Sequence, residues 1–114
     1  MISRGGKVIV NRIECLNSIL SQSRGLMFRK KLKDTALLFI LKRPERVNIH
    51  MLFVFFPIDI LFLDKNRMVV DTGKLKAFIG LKRSKTKISY VVELPAGVIE
   101  NHSIKAGDKL TLKY

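Results

Sequence analysis

The chain has 114 residues, of which 47% are apolar and 27% charged. That is the composition of one globular domain, too apolar for a disordered chain and too evenly mixed for a membrane-embedded one. Twenty-two Lys and Arg against nine Asp and Glu leave a formal charge of +13, so the surface potential is positive over much of the molecule and favours anionic partners. The only cysteine, Cys15, excludes an intrachain disulfide and any multi-cysteine zinc site.

Residues 1–7 carry no apolar core ahead of a cleavage pattern, so a cytoplasmic chain is expected. Residues 7–10 form a short β-branched run, and two helix starts compete after it. Asn17 or Ser18 can cap a helix that Gly25 ends. Alternatively, Asn11 with Glu14 can form a capping box that Ile13, Leu16 and Leu20 continue at helical spacing. Local signals leave both starts open. Cys15, among Ile13, Leu16 and Ile19, reads as an inert, partly buried thiol.

Residues 36–41 read as a buried strand, and residues 42–48, with Pro44 and four charges, as the loop of a hairpin whose second strand spans 49–56. The apolar run 47–63 is broken by His50, Pro57 and Asp59 and falls short of the roughly 20 residues of a spanning helix. No transmembrane segment is expected. The run reads instead as two adjoining core strands, with Pro57 at their join or on an edge, because proline lacks the donor a central ladder needs. A strand at 58–63 is closed by Asp64, Lys65 and Asn66, and the next begins at 68–71.

From 74 to 82 the odd positions Leu75, Ala77, Ile79 and Leu81 are apolar and Lys74, Lys76 and Lys82 hold the other register, which predicts a strand with one wet face. Residues 89–94 form another core strand, ended by Pro95 and Gly97. A short helical turn follows between Ala96 and His102, then a turn around Gly107 and Asp108, then a last strand with Leu110 and Leu112 inward. Seven or eight short strands with one or two short helices predict a single mainly β domain over residues 1–114, a sandwich or a curled barrel.

Three blocks carry a family resemblance: Arg24-Gly25-Leu26-Met27-Phe28-Arg29, residues 49–64 (IHMLFVFFPIDILFLD), and Val92-Glu93-Leu94-Pro95-Ala96-Gly97 with Gly107-Asp108 after it. Their order resembles the uncharacterised family known as domain of unknown function 192. The resemblance implies a compact, jelly-roll-like, mainly β domain, with strand before Ser18 and a short helix from Ser18 to Arg24 and Gly25. It implies no activity. Where many members carry Lys-Asn-Thr after Trp-Met, this chain has Leu52, Phe53 and Val54, with His50 in the tryptophan's place.

Candidate chemistry concentrates on few residues. Glu93, between Val92 and Leu94, is either a structural carboxylate matched by Arg24 or Arg29, or a ligand-binding or proton-transferring group. Asp59, between Ile58 and Ile60, invites the same two readings, with capping of a bend the plainer one. A ligand pocket would draw on Arg24, His50, Asp59, Glu93 and Gly97. The two histidines, His50 and His102, lack metal-ligand spacing, and no nucleophile elbow, P-loop or dinucleotide-binding glycine pattern occurs. No metal, no cofactor and no catalytic group are therefore expected.

The acid-free stretch 74–87 holds Lys74, Lys76, Lys82, Arg83, Lys85 and Lys87, the best candidate footprint for a polyanion if most of it is a loop. Lysine-rich surfaces are also ordinary in thermophilic proteins. The expectation is a non-catalytic binding module with salt-sensitive affinity for nucleic acid or another polyanion, RNA foremost. The alternatives are a small-molecule or enzymatic pocket around Arg24, Asp59 and Glu93, and a protein-interaction domain.

Overall fold

The computed structural model describes residues 1–16, 32–50 and 56–114. In chain order it contains β1 (Ile2–Arg4), β2 (Lys7–Val10), β3 (Arg12–Leu16), β4 (Thr35–Glu45), β5 (Asn48–His50), β6 (Ile58–Leu63), β7 (Val69–Leu75), β8 (Leu81–Arg83), β9 (Ile88–Pro95), α1 (Val98–His102) and β10 (Thr111–Leu112). They build a central five-stranded sheet of order β3-β4-β9-β6-β7, a three-stranded sheet β10-β1-β2 and a two-stranded sheet β5-β8.

β6 explains the layering. All six of its residues are buried, as expected of a strand covered on both faces. Its side chains alternate between two cores. Ile58, Ile60 and Phe62 pack with Leu37, Phe39 and Val91, and with Val47 and Ile49 from the β5 side. Leu61 and Leu63 pack with Leu38, Val92 and Leu94, and with Ile2, Val10 and Leu112 of the three-stranded sheet. The five-stranded sheet is thus the middle layer of a sandwich-like, mainly β fold whose sheets do not close into a barrel.

β2, β6, α1 and the buried Leu110 and Leu112 fall where the sequence predicts. The helix predicted from Ser18 lies outside the described residues. Three expectations change. The hairpin between the strands at 36–41 and 49–56 does not form: β4 pairs in parallel with β3 and antiparallel with β9, whereas β5 pairs with β8. Where the ladder slips between Ile40 and Glu45, residues 41–44 bulge, and Pro44, which has no N–H to give a ladder, sits in that bulge.

The strand predicted over 74–82 is the end of β7, a turn, and β8, with Ile79 and Leu81 exposed and not facing the core. Cys15 is exposed on β3, the edge of its sheet, and partial desolvation of the sulfur raises its thiol pKa. The pattern also hides β1, which the Gly5-Gly6 turn folds back onto β2.

α1 is held from both ends by other elements. Asp59 of β6 accepts hydrogen bonds from the N–H groups of Gly97 (3.1 Å) and Ile99 (2.9 Å) at the helix start, which supplies partners to orphan donors that no local side chain caps. Gly97 has φ +95°, a left-handed conformation that penalises any Cβ. At the other end the Arg4 guanidinium donates to the carbonyls of His102 and, at 3.4 Å, Ser103, and binds Asp108 at 2.8 Å. A cation at a helix C-terminus complements its orphan carbonyls.

Lys82 fastens β8 to the face of β7. Its stem lies against Gly73, where a Cβ would meet the Lys82 Cδ at 3.1 Å and Ile60 Cγ2 at 3.0 Å. Its ammonium reaches Asp71 at 2.9 Å, both side chains being about one-fifth exposed. Burial alone would raise the Asp71 carboxyl, but hydrogen bonds from Lys82 and the Thr72 N–H, with the Lys82 charge, outweigh it and hold the carboxyl below its ordinary value.

Two outcomes follow from these contacts. Asp59→Ala leaves the buried N–H of Ile99 without its partner and is expected to lower the unfolding free energy by about 1–3 kcal/mol, read by urea denaturation. Limited proteolysis should then cut first near α1. The depressed Asp71 pKa means that its contribution is complete above the unfolded value of about 4 and is lost as pH falls through the folded value. Asp71→Asn should therefore flatten, without abolishing, the fall in stability below about pH 4, because Asp108 is lowered too, by the Lys105 N–H and by Arg4.

Candidate functional site

The open end of the central sheet, where β6 begins and β7 and β9 end, holds a cleft. Register sets Asp59 opposite Lys74 on β7 and Leu94 on β9, and Ile58 opposite Leu75 and Pro95. The turn into α1 then brings Gly97 and Glu100 over that end. The result is a cavity of about 230 Å³ whose lining includes Pro57, Asp59, Lys74, Lys76, Gly97 and Glu100. That is smaller than the roughly 300–1,000 Å³ of most ligand pockets, so it suits a small anion or one arm of a larger molecule.

Lys74 and Glu100 approach to 3.7 Å across the mouth, with side chains 59% and 80% exposed, a pair that water screens and that holds little geometry. Asp59 is 2% exposed and committed to the amides of α1. The exposed charges of the cleft are therefore Lys74 and Lys76, with Glu100 facing Lys74. Glu100 has no precursor in the sequence pattern; only the helical turn beginning at Gly97 brings it there.

Asp59 and Glu93 do not share this site. Residues opposite each other on neighbouring strands project to the same face, and Glu93 stands opposite Ile60 and Leu37 while Asp59 stands opposite Leu94. Glu93, 1% exposed, therefore lies on the β5 side of the central sheet and Asp59 on the α1 side. His50 contributes backbone to β5 opposite Leu81. Arg24 lies outside the described residues.

The basic stretch 74–87 is divided by the fold. Lys74 and Lys76 belong to the cleft, Lys82 turns inward to Asp71, Arg83 is exposed at the end of β8, and Lys85 and Lys87 are exposed beyond it. The segment that carries these last three is joined to the end of β4. The Ser84 N–H donates to the Val47 carbonyl at 2.9 Å, the Val47 N–H donates to Ser84 Oγ at 2.8 Å, and Glu45 pairs with Ile88. These contacts join the segment that carries the exposed Lys42, Arg43 and Arg46 to the one that carries the exposed Arg83, Lys85 and Lys87. Neither the sequence separation nor the charge pattern announces this juxtaposition, because it depends on Ser84, a small buried hydroxyl.

Solved structures share this fold, and the sequence relatives carry no named activity. The profile of domain of unknown function 192, described as an uncharacterised ACR, matches residues 1–112. A UPF0127 protein of Pyrococcus furiosus is 36% identical over 107 residues, 92% of this chain and 90% of that protein. A second, of Pyrococcus horikoshii, is 36% identical over 100 residues, 86% and 84% of the two chains. Among solved structures, a protein of unknown function from Novosphingobium aromaticivorans aligns with a TM-score of 0.78 at 25% identity over 88% of this chain and 74% of that one. A protein from Sinorhizobium meliloti described as a putative transcription regulator aligns with a TM-score of 0.77 at 24% identity, covering 87% of this chain and 79% of that one, and shows the fold alone. On the match to nearly its whole length, the chain belongs to the uncharacterised family designated domain of unknown function 192.

Proposed function

We propose that this domain is a non-catalytic binding module for polyanions, RNA foremost, working in the cytoplasm through its β4–β8 end. One observation supports the reading: the Val47–Ser84 hydrogen bonds join the segment carrying Lys42, Arg43 and Arg46 to the one carrying Arg83, Lys85 and Lys87, six exposed cations with Glu45 the acid among them. Clustered cations bind phosphate chains by releasing condensed counterions, whereas dispersed ones only solubilise. Lys82 adds little, since its charge faces Asp71. At the far end of the sheet Lys76 adds a further cation, whereas Lys74 faces Glu100.

Against single-stranded RNA, anisotropy titrations at two ionic strengths should give affinity that falls with salt, with a logarithmic slope of roughly −0.7 per phosphate neutralised. Arg43→Glu with Lys87→Glu should cost about tenfold or more and reduce that slope, while Lys82→Ala should change it least. Undetectable binding at low salt would remove the proposal.

A second reading is favoured by the cleft, where Lys74, facing Glu100, and Lys76, which makes no ion pair among the described residues, line a cavity of about 230 Å³ beside Gly97 and Asp59. It makes the domain a receptor for a small anionic molecule. Phosphate or a small carboxylate that binds and is lost with Lys74→Ala and Lys76→Ala, while RNA binding persists, would favour it over the first.

A further inference from the structure

The connection between β7 and β8 is a tight turn over residues 76–80, closed by Gly80 N–H to the Lys76 carbonyl at 3.0 Å and Ile79 N–H to the Ala77 carbonyl at 2.8 Å. It presents a concentrated apolar surface to solvent: Phe78 is 50% exposed, Ile79 77% and Leu81 55%. Single exposed apolar residues are normal, but three within four positions are not scattered decoration. Phe78 also has φ +66°, a conformation costly for a bulky side chain and found where surrounding structure enforces it.

Cations frame these residues. Lys76 opens the turn, and Arg83 shares the outward face of β8 with Leu81 because the intervening Lys82 turns inward to Asp71. Neither Lys76 nor Arg83 makes an ion pair among the described residues.

We propose that this turn is a docking tip for an anionic lipid bilayer surface, with Ile79, Leu81 and Phe78 entering the headgroup boundary while Lys76 and Arg83 meet lipid phosphates. A phosphate chain alone does not account for the site, since aliphatic Ile79 and Leu81 neither stack on bases nor hydrogen-bond to them. An apolar tip inside a basic collar matches the two terms of peripheral membrane binding, buried apolar area and attraction to anionic headgroups. Among the described residues no helix is long and apolar enough to cross a membrane, so the contact would be peripheral. The docking tip adjoins the RNA-binding end and shares Arg83 with it, so the two are told apart through residues that belong to one only: Ile79 and Leu81 of the tip, Arg43 and Lys87 of the basic end.

The test is co-sedimentation of the full chain with vesicles of equimolar phosphatidylcholine and phosphatidylglycerol, and with phosphatidylcholine alone. Binding is expected to the anionic vesicles and to weaken with salt. Ile79→Ser with Leu81→Ser, which keeps the net charge, should weaken it at least about tenfold without changing RNA affinity or the denaturation midpoint. Ile79→Ser alone should show part of the loss, which guards against a folding defect in the double variant. Arg43→Glu with Lys87→Glu should reverse that pattern, acting chiefly on RNA. Absent vesicle binding, or equal binding by wild type and the double variant, would overturn the proposal. So would a double variant whose RNA affinity or self-association falls while vesicle binding is kept, since the turn would then serve a nucleic acid or a second copy.

Discussion

The burial of β6 and β9 between two layers is the constraint from which the rest of the structure follows. A strand enclosed on both faces has no wet side on which to place polar groups, so β6 carries a single ionisable residue, Asp59, and that residue must find partners inside. It finds them in the amides that open α1. The helix in turn lies over the sheet end because Asp59 holds its start and Arg4 of β1 its finish. One buried carboxylate and one guanidinium thus tie the middle layer, the outer sheet and the short helix into one body.

Enclosure also decides where function can reside. With the faces of the central sheet filled by two apolar cores, exposed chemistry is displaced to the ends of the strands and the turns between them. The cleft lies at one end, where β6 starts and β7 and β9 finish. The joined basic segments lie at the other, where β4 ends and β9 begins. The apolar turn belongs to neither core. Binding surfaces on turns carried by a rigid sheet are a common arrangement, since turns vary without disturbing the packing beneath them.

Lys82 shows how a charge in a basic stretch can be structural. Its stem covers Gly73, where a side chain would collide with Ile60, and its ammonium neutralises Asp71. By sequence it is indistinguishable from Lys85 or Lys87, yet it is withdrawn from any phosphate by a nearby carboxylate eleven positions earlier in the chain. Charge counting along a chain overstates a footprint wherever the fold supplies such a counterion.

Local patterning determined the mainly β class, the enclosed strand at β6, the α1 turn before His102 and the inward leucines of the last strand. Each is written in periodicity, proline and glycine within a few residues, and those signals act through short-range sterics and hydrogen bonding. Only the tertiary structure decided that β4 joins β9 and not β5, that Asp59 and Glu93 fall on opposite faces, and that the segment holding Lys42, Arg43 and Arg46 is joined to the one holding Arg83, Lys85 and Lys87. Those outcomes depend on strand partners far apart in the chain and on a ladder register in which one residue's slip exchanges faces, and no local run of residues encodes either.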